Sequence, residues 1–164
     1  MCIRDRHNTA QGYGALYNNK ASYNTAIGYQ AAFNNTTGEL NTAIGYASLY
    51  SNTTGDKNTS IGYAALYNNT TASNNTAIGY YAAFNNTTGS QNTAIGYGSL
   101  FKNTTGKRNT AIGYSSLYNN KGSNNTAIGY YASNKNTTGS YNTAIGYAAL
   151  YLSLIHISEP TRPY

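Results

Sequence analysis

Charge is scarce in this chain: of 164 residues only 9% are charged, against about 25% in ordinary globular domains. A helical surface laced with ion pairs is therefore excluded. Tryptophan is absent, and there are one cysteine, one methionine and two prolines. A single Cys can form neither an internal disulfide nor a zinc site. No apolar run reaches the length of roughly 18 residues that a membrane-spanning helix needs. The chain does have 19 Tyr and 17 Gly. Together with a regular apolar pattern and low charge density, they argue against a disordered polyampholyte.

The two ends read differently from the rest. Met1-Cys2-Ile3-Arg4-Asp5-Arg6 can be encoded by ATG TGT ATA AGA GAC AGR, which resembles a transposase mosaic-end adapter. Leu152-Ser153-Leu154-Ile155-His156-Ile157-Ser158-Glu159-Pro160-Thr161-Arg162 matches the opposite strand of the same adapter in frame. Residues 1–6 and 152–164 are accordingly expected to be translated adapter, flanking a repeat segment over 7–151 that is cut from a longer gene. The only Cys, the only Met and both Pro fall in those ends. Residues 8–151 retain Lys20, Lys57, Lys102, Lys107, Arg108, Lys121 and Lys135 against Glu39 and Asp56, seven cations less two anions, or +5.

Between the ends one unit recurs nine times. Asn-Thr-Ala-Ile-Gly-Tyr, or a close variant, begins at Asn8, Asn24, Asn41, Asn58, Asn75, Asn92, Asn109, Asn125 and Asn142, at spacings of 16 or 17 residues. The full unit reads Asn-Thr-Ala-Ile-Gly-Tyr-x-Ala-Leu-Tyr-x-Asn-Thr-Thr-Gly-x-x, and its residues are numbered below as positions one to seventeen. The two short units each lose one residue from the polar stretch, near Lys20 and Lys121. A deletion confined to one stretch marks it as a surface turn.

Asn, Thr and Gly disfavour helix interiors, and the apolar positions lack a 3.6-residue period. Thr-Ala-Ile-Gly-Tyr and Ala-Leu-Tyr fit two short strands, punctuated by Asn-Thr-Thr-Gly turns. The prediction is an all-β parallel β-roll or β-solenoid of nine coils. Coils about 4.8 Å apart would make a rod roughly 40 Å long. Each coil buries its face only against its neighbours, so stability is that of a one-dimensional array.

Stacking places like residues above one another. One ladder is Thr, from Thr9 and Thr25 to Thr143. A second is Ile27, Ile44, Ile61, Ile78, Ile95, Ile112, Ile128 and Ile145, with Gln11 in the first coil. A third is Tyr at position six: Tyr13, Tyr29, Tyr46, Tyr63, Tyr80, Tyr97, Tyr114, Tyr130 and Tyr147. A fourth, aromatic at position ten, runs from Tyr17 to Tyr151 and is interrupted by Asn134. Asn ladders are expected to satisfy one another's amides between layers.

Strand alternation puts Thr, Ile and Tyr on one side and Ala and Gly on the other. On the second strand, Ala and Tyr share a side and Leu points opposite. Two arrangements follow. Ala and Gly can line a narrow interior, leaving Ile outside; an apolar stripe of that kind marks an interface and implies lateral packing against further copies. Alternatively Ile lies inside a monomeric solenoid whose surface is rich in Tyr.

The unit Asn-Thr-Ala-Ile-Gly-Tyr-x-Ala-Leu resembles the repeats of trimeric autotransporter adhesin heads and the related repeats of phage and bacterial tail-fibre-like proteins. The resemblance covers all of 8–151. It implies a left-handed β-roll, a homotrimer, and a cell-surface, extracellular or virion location in which binding surface is displayed. It also implies that membrane anchoring comes only through flanking regions. This chain departs from the adhesin-head pattern in its longer coil, its Tyr-rich positions and its Asn-Thr-Thr-Gly loop.

Catalysis is poorly served. Two carboxylates, no Cys and at most one His in the repeat segment cannot furnish acid–base pairs, metal clusters or a nucleophilic triad. No enzyme activity and no cofactor is expected. Gly106-Lys107 lacks the Ser/Thr of a phosphate loop, since Arg108 follows. Nucleic-acid binding needs a denser basic stripe than these scattered cations. A cell-surface glycan or matrix ligand suits the aromatics better. Within that reading Tyr81 and Tyr131 at the variable seventh position, with the loop residues Lys107 and Arg108, are the candidate surface contacts. The rival function is an ice-binding solenoid using the Thr ladders, which thermal hysteresis would reveal.

Overall fold

The computed structural model describes residues 7–151; the adapter-like segments 1–6 and 152–164 lie outside the described residues. Each coil contributes one three-residue strand: β1 Thr9–Gln11, β2 Thr25–Ile27, β3 Thr42–Ile44, β4 Thr59–Ile61, β5 Thr76–Ile78, β6 Thr93–Ile95, β7 Thr110–Ile112, β8 Thr126–Ile128 and β9 Thr143–Ile145. The nine form a single parallel sheet in sequence order. Every pairing aligns Thr with Thr, and all but the first align Ile with Ile; Gln11 faces Ile27 there. The chain is a β-solenoid without helices among the described residues.

The strands show why the register is fixed. Their central residue, Ala in eight coils and Ser60 in the fourth, is buried throughout, while Thr and Ile flank it outside. The small residue therefore lines the interior, as the first of the two arrangements requires. Sliding one strand by a single residue would exchange Ala for Ile in that thin interior. Ser60 fits because its Oγ donates to the Ala65 carbonyl at 2.8 Å. Ser48 of the preceding coil in turn donates to Ser60 Oγ at 2.7 Å.

The expected second strand does not form. Positions six to eleven are turns, and positions seven, nine and seventeen take left-handed backbone. Ala47, Leu49 and Lys57 of the third coil have φ of 49°, 55° and 55°. Left-handed backbone costs a non-glycine residue roughly 1–2 kcal/mol. Coil-to-coil hydrogen bonds offset that cost at the same positions: the N–H of Ala47 donates to Tyr29 O at 2.8 Å, that of Leu49 to Ala65 O at 2.9 Å, and that of Lys57 to Glu39 O at 2.9 Å. Because the backbone is not extended, alternation fails. Positions eight and nine, such as Ser48 and Leu49, are both buried, instead of pointing oppositely.

The interior is completed by two polar columns. Asn at position twelve donates to the Asn Oδ1 of the preceding coil, as in Asn52 to Asn35 at 2.7 Å and Asn69 to Asn52 at 2.9 Å. It also donates to the position-fifteen carbonyl of its own coil, as Asn52 does to Gly55 O at 2.9 Å. Asn at position one uses its Oδ1 differently, accepting the backbone N–H of the next such Asn; Asn41 N–H donates to Asn24 Oδ1 at 2.9 Å. The position-twelve column breaks where the second short coil begins. Asn120 there donates to Gly122 O, and Asn103 Oδ1 is left buried without a partner. Exposed Thr at position fourteen, such as Thr37, Thr54 and Thr88, is the residue that the short coils omit.

Candidate functional site

The outer surface is organised by the ladders. Thr25 and its equivalents in the inner coils are half-buried on the strands, while Thr9 and Thr143 at the two ends are exposed. Ile27, Ile44, Ile61, Ile95, Ile112 and Ile128 are likewise half-buried, whereas Ile78 and Ile145 are exposed. After Ile, the glycine of position five turns the chain at a φ that only glycine adopts without strain, +133° at Gly62. Position six then projects outward. Tyr29, Tyr46, Tyr63, Tyr80, Tyr97, Tyr114 and Tyr130 are 39–47% exposed, and the end rings Tyr13 and Tyr147 more so.

Those nine rings form one continuous stack, with centroids 4.9–5.3 Å apart and planes within 16° of parallel. The position-ten rings form a second stack from Tyr17 to Tyr118, spaced 4.9–5.5 Å. Each stacked pair is worth about 0.5–1.5 kcal/mol beyond its area burial. The ladders thus stabilise the array while keeping phenol edges at the surface.

Tyr81 and Tyr131 do not stand out as the freest aromatics. Both are half-buried between the two stacks. Tyr81 meets Tyr80 edge-on at 4.3 Å and Phe84 at 4.9 Å; Tyr131 meets Tyr130 at 4.5 Å. The sequence showed only the adjacent position-six tyrosine; the second aromatic neighbour comes from the position-ten stack, which folding brings alongside. Lys107 and Arg108 are exposed. The Arg108 Nε–H donates to Gln91 Oε1 of the coil before it at 3.1 Å, and the Lys107 N–H donates to Ser123 Oγ at 3.0 Å. The structure does not bring these two cations to the tyrosines.

Beside the position-ten stack runs a polar groove of about 460 Å³, lined by residues including Asn68, Thr70, Asn85, Thr87, Lys102 and Lys121. The Thr hydroxyls there donate to the next coil, Thr70 to Thr87 O and Thr87 to Thr104 O. The Lys102 ammonium lies 5.7 Å from the Tyr118 ring centre. Among the described residues no three His, Cys, Asp or Glu side chains cluster, and no helix is long and apolar enough to cross a membrane.

Two phenols of the second stack, Tyr67 and Tyr118, are hard to ionise. Tyr67 is pushed above the ordinary value of 10.0, first by desolvation and then by Tyr50 and Tyr46. Tyr118 is pushed up by desolvation and by Tyr97 and Tyr114. Tyr131 is raised first by desolvation, and Tyr81 first by its hydrogen bond with Tyr80. A phenol raised in the folded state releases its proton more readily when unfolded, so its stabilisation is complete below pH 10 and lost as pH rises through the folded value. The urea midpoint is therefore expected to fall as pH rises above 10.0, and to fall less in a Tyr67→Phe, Tyr118→Phe double variant. Equal slopes in the two proteins would contradict this assignment.

The expected Asn ladders form at positions one and twelve; what the sequence left open was which Asn of the polar stretch turn inward. The available clue was that both short units keep these Asn residues while losing a neighbouring loop residue. The chain matches no family model, no curated protein sequence and no solved structure.

Proposed function

We propose that this chain is a structural and adhesive repeat segment of a fibrous surface protein, of the adhesin-head or tail-fibre kind, working as a homotrimer. In this reading the segment holds or presents a host- or surface-binding tip at a cell surface or on a virion. Anchoring falls to other regions, and the segment itself catalyses nothing. The observation that carries the reading is the outward stripe of Ile, in all coils but the first, and Tyr, in all nine. Monomeric soluble proteins seldom present contiguous apolar surface beyond a few hundred Å². Glycan or matrix contact falls to the Tyr and Asn/Thr surfaces, where apolar ring and polar tip are offered together.

Sedimentation equilibrium tests the assembly. The expected mass is that of three chains, and Ile61→Lys with Ile78→Lys should reduce it to one while the β circular-dichroism signal persists. A folded wild-type monomer at tens of micromolar would refute the trimer. A second reading, ice binding, is favoured by the in-register Thr ladder on a parallel sheet. Thermal hysteresis in that monomeric sample would select it instead.

A further inference from the structure

The position-ten stack has one missing rung. Tyr17, Phe33, Tyr50, Tyr67, Phe84, Phe101 and Tyr118 follow one another without interruption; the next coil has Asn134, and the one after it Tyr151. Asn134 turns inward and is buried, its Nδ2 donating to Ser115 O at 2.8 Å. Its side chain therefore does not stand in for the ring. Tyr118 and Tyr151 lie two coils apart, about 10 Å on a rise of 4.8 Å per coil. That is the separation at which one inserted ring stacks on both.

The fifth coil shows what the complete arrangement looks like. There Tyr81 stands beside the stack, 4.9 Å from Phe84 at 76° and 6.0 Å from Phe101 at 71°. In the eighth coil Tyr131 holds the same place, 6.0 Å from Tyr151 at 78°. Tyr151 thus keeps the orientation of a normal rung. Tyr131 flanks the gap edge-on without entering it, and only the ring corresponding to Phe84 is absent.

The rim carries positive charge. Lys135 Nζ is 5.8 Å from the Tyr151 ring centre, close to the 5.7 Å of Lys102 from Tyr118. At Tyr118 the face on that side is already covered by Phe101, so an ammonium at this distance sits at the rim rather than between rings. Among the described residues both carboxylates, Glu39 and Asp56, lie in the second and third coils, far along the rod from this gap.

We propose that the gap between Tyr118 and Tyr151 is a binding site for a single aromatic ring bearing an anionic substituent, sandwiched by the two tyrosines, walled by Tyr131 and paired with Lys135. This inference is independent of the trimeric, adhesive reading, because the site is complete within one chain.

The test is titration of the 164-residue chain with 4-hydroxybenzoate, followed by proton NMR of the ligand. Saturable binding with upfield shifts of the ring protons is expected. Asn134→Phe copies the fifth coil, so it should fold at least as stably and weaken binding more than tenfold. Lys135→Met leaves the stack intact and should weaken binding severalfold. The proposal is overturned if the folded wild-type chain shows no saturable shift, or if Asn134→Phe binds within twofold of wild type. Undiminished binding by Lys135→Met would overturn the anionic preference.

Discussion

Replacing Gly62 by valine is expected to cost about 4 kcal/mol or more, combining roughly 1–3 kcal/mol of backbone strain with a similar overpacking term. The reason lies in how closely the coils approach at position five. A Cβ on Gly62 would sit 2.4 Å from Gly79 O and 2.8 Å from Gly79 C, which are backbone atoms that no rotamer change can move. Gly79 is itself tied back, its N–H donating to Ile61 O at 2.8 Å. Relief would require separating the coils and losing the ladder bonds on both sides. Gly146 separates the two contributions, since it has φ of +121° but nothing within 4 Å of its Cβ position. Gly146→Ala should therefore show the strain alone and cost clearly less. Urea unfolding followed by circular dichroism measures both, and a Gly62→Val protein as stable as Gly146→Ala would disprove the close-approach argument.

Asn52→Leu carries the second large effect, a loss of about 3 kcal/mol from buried polar groups deprived of partners. Leucine has the same number of side-chain heavy atoms, but its methyl groups are larger than the amide O and N, so overpacking adds to the loss. The Asn52 amide spans three coils: it donates to Asn35 Oδ1 at 2.7 Å and accepts from Asn69 Nδ2 at 2.9 Å. Without it Asn35 Oδ1 is stranded in the interior, while Asn69 Nδ2 keeps only Ala72 O. Gly55 O is spared because Asn41 Nδ2 also reaches it, at 2.8 Å. Thr54→Ala, two residues away at the exposed fourteenth position, should change stability by less than about 0.5 kcal/mol. If the two variants unfold at the same urea concentration, the Asn column is not a stabilising element.

These two sites differ in how visible they were beforehand. Gly62 recurs at one place in every unit, before a tyrosine and, in all but the first, directly after Ile, which already marks a tight turn. Asn52 is drawn from the same polar stretch as Thr53 and Thr54, and nothing in its chemistry distinguishes an inward amide from a solvated one. The same limit applies to Tyr81 and Tyr131. Their position in the unit was plain, but their burial depends on both aromatic stacks being in place.

By itself the sequence determined the period, the nine coils and the parallel in-register sheet; whether Ala or Ile faces the interior stayed open until the burial of position three decided it. Stacking identical units leaves no other register in which Ala meets Ala and Ile meets Ile. Only the tertiary structure decided that the Ala-Leu-Tyr stretch would not be a strand. Its left-handed residues are unfavourable in an isolated coil, and they persist because their N–H groups reach carbonyls 15 to 18 residues away, in coils above and below. Alternation reads a side chain's direction from its immediate neighbours in the chain. Here that direction is set by backbone partners one full coil distant.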